Sequence, residues 1–157
     1  MNEIILIITA TLTALMAGLF YAWSCSVMLG FARLTDREFV AAMQATNRAI
    51  QNPVFFAAFF GAPLFLIIST ILHYGESVRF MLLLAASLIY IAGNFIVTIA
   101  GNVPLNNRLE SFELASASDE ETARQRTNFE RRWTILNHIR AVASTIAIIL
   151  VVIVCLQ

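Results

Sequence analysis

Long apolar runs alternate with short polar stretches along this chain, and their lengths predict four membrane-crossing helices. Helix one is expected over Glu3 to Leu29, helix two from Pro53 to about Leu72, helix three from about Val78 to Ala100, and the last apolar run covers Ile139 to Leu156. At about 1.5 Å of rise per residue, roughly 20 apolar residues cross a hydrocarbon layer of about 30 Å. The first run follows Glu3 and no basic residue, so it reads as a retained helix and not as a signal peptide. Small and polar side chains punctuate the runs at helical spacing. Thr13, Ala17, Tyr21 and Ser24 form one stripe on helix one, and Ser87, Tyr90, Asn94 and Thr98 another on helix three. Such stripes suit helix packing in lipid, where close backbone approach and interhelical hydrogen bonds drive association. An asparagine within a span, such as Asn94, is expected to face protein.

The polar stretches carry helix signals of their own. Thr35 and Glu38 form a capping box. The helix it opens has Phe39, Val40, Met43 and Ile50 on one face, so it is expected along the membrane surface with Asn47 and Gln44 able to point beneath it. Asn52 and Pro53 are a cap and a first helical residue, and Gly61-Ala62-Pro63 predicts a kink in helix two. The phenylalanines Phe55, Phe56, Phe59 and Phe60 read as lipid-facing or packing residues, and His73 as an interfacial one. Ser118 and Glu121 make a second capping box, whose helix continues through Trp133 into the last apolar run. That continuity puts Glu130, Trp133, Asn137, Arg140 and Ser144 on one face, with His138 about 100° around from Asn137. Between these elements, Gly101-Asn102-Val103-Pro104-Leu105-Asn106-Asn107-Arg108 is expected to end or break helix three, because Pro104 lacks an amide hydrogen and disfavours helical geometry at Val103.

Composition agrees with this pattern. In 157 residues, 59% are hydrophobic and 13% charged, which excludes an ordinary soluble domain and leaves one all-α, four-helix transmembrane bundle with amphipathic segments after helices one and three. A formal net charge of zero argues against a nucleic-acid partner. Cys25 and Cys155 have no disulfide or metal spacing, and His138 has Ala141 and Val142 where a second metal ligand would stand, so neither metal nor other cofactor is expected. All ten basic residues are arginine. Arg33, Arg37 and Arg48 follow helix one, and Arg108, Arg124, Arg126, Arg131 and Arg132 follow helix three, against Arg79 alone on the other side. By the positive-inside rule this is a multi-pass cell-membrane protein with the arginine-rich connections cytoplasmic and both termini outside.

The same topology gathers Tyr21, Ser24, Asn47, Asn94, Thr98, Asn102, Asn106, Asn137, His138 and Arg140 at one depth, from every part of the chain except helix two. Two readings of that convergence stand side by side. It is a hydrogen-bonded plug locking the helices together, or a ligand site.

Three segments carry a resemblance: Ala42-Met43-Gln44-Ala45-Thr46-Asn47, Gly101-Asn102-Val103-Pro104-Leu105-Asn106, and Trp133-Thr134-Ile135-Leu136-Asn137-His138-Ile139-Arg140. With Gly18-Leu19-Phe20-Tyr21 and Asn52-Pro53 they make the chain similar to the DUF1772 family, small membrane proteins grouped with anthrone oxygenases. It departs from the family pattern at Leu136, where tryptophan is common, and at Met28-Leu29-Gly30, where Met-Pro-Gly is. The resemblance implies a four-helix membrane bundle and an oxygenase activity on polycyclic phenols without metal or flavin.

Two functions from different classes follow. In the first, the chain oxygenates a lipophilic aromatic. A base forms a phenolate or carbanion and a donor holds the oxyanion, with His138 as base, Arg140 as anion stabiliser, and Tyr21, Asn47, Asn94, Asn102, Asn106, Trp133 and Asn137 around the substrate. In the second, the same cavity binds a lipophile, a quinone or a partner helix without catalysis. The expected partners are membrane lipid and a lipophilic aromatic ligand, and the sequence assigns no oligomeric state.

Overall fold

The structure, a computed structural model, describes residues 2–157. Five helices build the described chain: α1 (Asn2–Phe31), α2 (Asp36–Ile50), α3 (Pro53–Leu72), α4 (Ser77–Glu110) and α5 (Asp119–Cys155). All but α2 are long and apolar enough to cross a membrane. They form a ring in which α1 packs on α3 and α5, while α4 packs on the other flank of the same two helices. Short connections from α3 to α4 and a surface-lying α2 between α1 and α3 leave this ring as the simplest closure for antiparallel neighbours.

Each interface of the ring carries at least one side-chain tie. Thr9 Oγ1 meets Ser69 Oγ at 2.7 Å between α1 and α3, and Thr70 Oγ1 meets Ser87 Oγ at 2.9 Å between α3 and α4. Asn94 of α4 donates to Ser144 of α5, and Asn137 of α5 donates to Ser24 Oγ of α1 at 2.8 Å. Lipid offers these groups no water, so each bond spares a polar atom from hydrocarbon; bonds of this kind contribute about 0.6 kcal/mol apiece on average. Backbones approach closely at the same interfaces. A Cβ placed on Gly93 would come within 2.5 Å of the Ala143 Cβ, which cannot rotate away, so α4 and α5 could not sit as they do with a larger residue there.

Both capping boxes form. Thr35 Oγ1 accepts from the Glu38 amide at 3.4 Å while the Glu38 carboxylate accepts from the Thr35 amide at 2.9 Å. The Thr35 hydroxyl and amide bonds hold the Glu38 carboxyl below its usual range. Asn52 Oδ1 accepts from the Phe55 amide at 3.0 Å and starts α3. The helix α2 lies across the arginine-rich end of the bundle and packs on α5 and on the last turns of α4. Its Phe39, Val40 and Met43 are fully buried against Leu109, Phe129 and Trp133. At about 1.5–3 kcal/mol per side chain, that burial is what holds it down. Gln44 is buried too, donating to Leu109 O at 2.8 Å and Phe112 O at 3.0 Å, which ties the roof to the connection after α4.

Two expectations change. Helix three does not end at the asparagine and proline stretch: α4 runs on to Glu110, widening into π turns at Ile91–Ile96 and Thr98–Asn102 before Pro104 enters the next turn. A π turn lets the ladder skip a residue, so a proline without an amide hydrogen is accommodated immediately after it. His73 is not interfacial but buried, with Nδ1 2.8 Å from Ser69 O at the end of the bundle opposite α2.

Candidate functional site

Under α2, at the end of the bundle that carries the arginine-rich connections, lies a cavity of about 300 Å³. That is at the lower end of the size of small-molecule sites. Helix α3 supplies one wall with Phe55, Phe56, Phe59 and Phe60. These rings stack in register, Phe55 on Phe59 at 5.5 Å and Phe56 on Phe60 at 6.0 Å between centroids, because residues four apart share a helix face. Helix α1 adds Phe20 and Trp23, α4 adds Thr98, Asn102 and Asn106, and α5 adds Trp133, Asn137 and Arg140. Asn47 and Gln51 hang from the roof.

Arg140 is the centre of this arrangement. It is 5% exposed and belongs to none of the ion pairs among the described residues. Its Nη2 donates to Asn137 Oδ1 at 2.9 Å and its Nη1 to Thr98 Oγ1 at 3.4 Å, while Nε has no partner in the protein. The guanidinium carbon lies 4.4 Å from the Phe20 ring centroid and 5.3 Å from that of Trp133. Each such cation–π contact is worth about 0.5–2 kcal/mol. Desolvating a guanidinium costs several kcal/mol, and arginine does not shed its proton. Two rings and two neutral acceptors therefore offset only part of that cost, and a negative group in the cavity would supply the rest.

The carboxamides around it are aimed by their other contacts. Asn137 Nδ2 donates to Phe20 O at 3.1 Å and to Ser24 Oγ, bridging to α1 where that helix loosens into its π turn at Trp23–Val27 and leaving Oδ1 for Arg140. Trp133 Nε1 donates to Asn106 Oδ1 at 2.8 Å, which fixes the indole face toward the guanidinium. Asn102 Nδ2 reaches Trp133 O at 3.4 Å, and its Oδ1 has no partner in the protein. Asn47 Nδ2 is unpartnered as well. The wall thus combines a large aromatic surface, one cation and a few unspent donors and acceptors, the make-up common to small-molecule pockets.

Of the residues expected from the sequence, Asn47, Asn102, Asn106, Trp133, Asn137 and Arg140 line this cavity together. The remaining expected ones lie elsewhere. Tyr21 is 62% exposed on the outer face of α1, and its place is taken by Phe20. Seven residues from Thr13 return within about 20° of its face, whereas eight overshoot it by about 80°. His138 is exposed on the outer surface of α5, so it cannot serve as a base inside the cavity. Asn94 is buried between α4 and α5, donating to Ser144, and does not reach the cavity wall. The sequence reading also missed the phenylalanine wall from α3. Its signal was the i, i+4 repeat of rings beginning immediately after Asn52-Pro53, at the depth of Asn102 and Asn137.

Comparison with known proteins gives one match. The family model described as anthrone oxygenase matches residues 39–150, which takes in the roof helix, the aromatic wall, the π turns of α4 and the Arg140 face of α5. A search of curated proteins and of solved structures finds no match. The match covers well over half of the chain, and the chain belongs to the anthrone oxygenase family of membrane proteins.

Proposed function

We propose that the cavity takes a lipophilic, anthrone-like aromatic from the membrane and that Arg140 holds it as its oxyanion for reaction with dioxygen. The observation that carries this is Arg140 itself, a buried cation with no acidic partner facing stacked aromatic side chains. An adjacent positive charge lowers the pKa of a nearby acid by about 1–3 units, so a bound phenol or enol would lose its proton more readily than in lipid. No Asp, Glu, His, Cys or Tyr side chain lines the cavity. The proton therefore passes to water at the α2 end, and Arg140 acts on the anion and not on the proton. Charge delocalised from the oxyanion into the ring system makes the ring methylene carbon nucleophilic toward dioxygen. One oxygen atom then replaces the two methylene hydrogens, the other leaves as water, and the substrate gives up all four electrons. Asn102, Asn106 and Asn47 orient the ring system, and the phenylalanines of α3 exclude water.

The orientation proposed with this function places the arginine-rich end of the bundle and the cavity on the cytoplasmic side of the cell membrane and both chain ends outside, in keeping with eight arginines between α1 and α3, near the end of α4 and in the first turns of α5, against Arg79 alone in the first turn of α4. Catalysis is tested in vesicles holding the purified protein, by following oxygen uptake and quinone formation from anthrone. One-to-one stoichiometry, lost on Arg140→Met, is expected. Binding of anthrone without product would overturn the oxygenase and leave a carrier or sensor of the same ligands, the reading favoured by the absence of a proton acceptor in the wall.

A further inference from the structure

On the outer side of α4 and α5, away from the cavity, a second concavity of about 400 Å³ runs along the seam between the two helices. Its floor is Ala100, Gly101, Pro104, Leu105, Ile135 and Leu136, and at one end stand Arg108 and Arg132. The order of residues gives the groove a direction. Along α4 the lining passes from Ala100 to Arg108, about 12 Å of helix at roughly 1.5 Å per residue. Along α5, which runs the opposite way, it passes from Leu136 back to Arg132. Both arginines therefore lie at the end nearest α2, and both apolar stretches extend from there toward the middle of the membrane.

Neither arginine is spoken for. Arg37, Arg48, Arg79 and Arg126 all pair with carboxylates, whereas Arg108 and Arg132 belong to no ion pair among the described residues. No acidic residue stands three or four positions from either of them. The neighbours are Pro104, Leu105, Ser111 and Phe112 for Arg108, and Asn128, Phe129, Ile135 and Leu136 for Arg132. Exposed arginines in a soluble protein would find water sufficient. Here two guanidiniums from different helices stand at the end of an apolar trough on the flank of two helices long and apolar enough to cross a membrane, and Gly101 leaves room for the Leu136 side chain in its floor.

We infer that this groove is a binding site for one anionic phospholipid, with the phosphate between Arg108 and Arg132 and an acyl chain along Ala100, Pro104 and Leu136. Guanidinium forks match phosphate oxygens bidentately, and basic residues at this level of a membrane attract anionic headgroups. The inference does not depend on what occupies the inner cavity, since the two sites share no lining residue.

The test is native mass spectrometry of the full chain released from lipid discs containing phosphatidylglycerol and phosphatidylcholine. The wild-type protein is expected to keep one phosphatidylglycerol with at least tenfold preference over phosphatidylcholine. Arg108→Gln with Arg132→Gln should bring that preference below twofold. Arg124→Gln with Arg131→Gln, two exposed arginines outside the groove, should leave it within threefold of wild type. Ala100→Trp, which fills the floor and spares both arginines, should shed the lipid as well. Equal loss in both arginine pairs would show general surface attraction and overturn the site, as would a wild-type protein that keeps neither lipid in preference. Retention in Ala100→Trp would overturn the placement of the acyl chain.

Discussion

At the end of the bundle away from α2, hydroxyls pair off across the interfaces: Thr9 with Ser69, Thr70 with Ser87, each within 2.9 Å. Fully packed aliphatic side chains surround them, Leu66, Leu83 and Val151 among these. At the α2 end carboxamides and one guanidinium join Thr46 and Thr98 around a cavity, and three of the residues lining it keep an unpartnered atom. The two halves thus differ. Short hydroxyls that can reach one partner lock helices together. Long, multivalent side chains set among aromatic rings line a cavity. The difference lies in reach and valence, since a carboxamide has four hydrogen-bonding positions and a neighbouring helix rarely satisfies them all.

The largest effect that would sharpen this contrast is at Arg140. Arg140→Met keeps the volume and removes the charge, and it should weaken binding of a phenolic anthrone at least 100-fold. Thermal stability in detergent should fall by no more than about 1 kcal/mol, because a lone buried cation contributes little to folding. The binding signal is built in: the only two tryptophans, Trp23 and Trp133, both line the cavity with ring centroids 5.0 Å apart, so ligand entry should quench their fluorescence. In the other half, Leu66→Ala should do the reverse. It should cost about 2–5 kcal/mol in a reversible unfolding titration and leave anthrone affinity within twofold.

Smaller effects refine the comparison. Asn102→Ala should lower affinity about tenfold through loss of its free carbonyl oxygen, whereas Thr9→Val should cost about 0.6 kcal/mol of stability and nothing in binding. Acid should loosen the roof. The Glu38 carboxyl lies below its ordinary range when α2 is capped, so the cap is complete above the usual carboxylate range and fades as pH falls through the lowered value. Protection of the first turn of α2 from hydrogen exchange, relative to the intrinsic rate at each pH, should therefore fall as pH drops below the usual carboxylate range, and Glu38→Gln should flatten that dependence. His138→Ala should change neither binding nor turnover by more than twofold, its side chain being outside the cavity.

Much of this architecture was legible in the sequence because it rests on local rules. Capping boxes at Thr35 and Ser118 and the Asn52-Pro53 start place three helix beginnings by short-range chemistry. The α5 face of Trp133, Asn137, Arg140 and Ser144 follows from unbroken 3.6-residue periodicity, and all four are buried. Where that periodicity is disturbed, reading by spacing fails. The π turns of α4 carry the chain past Pro104 where a break was expected, and Tyr21 was placed by counting four residues at each step, which drifts off the face. The α3 phenylalanines read as lipid-facing or packing residues for another reason. Rings that line a cavity and rings that meet lipid have the same composition, and only the neighbours brought in by the fold distinguish them.

The most direct test of the account is the ionisation of a bound ligand. A phenolic anthrone titrated by its absorbance in protein-containing vesicles should lose its proton about 1–3 pH units lower than in vesicles without protein, the range expected beside a buried cation, and Arg140→Met should abolish that shift. An unchanged titration, or a shift that survives the substitution, would contradict the claim that Arg140 holds an oxyanion in this cavity.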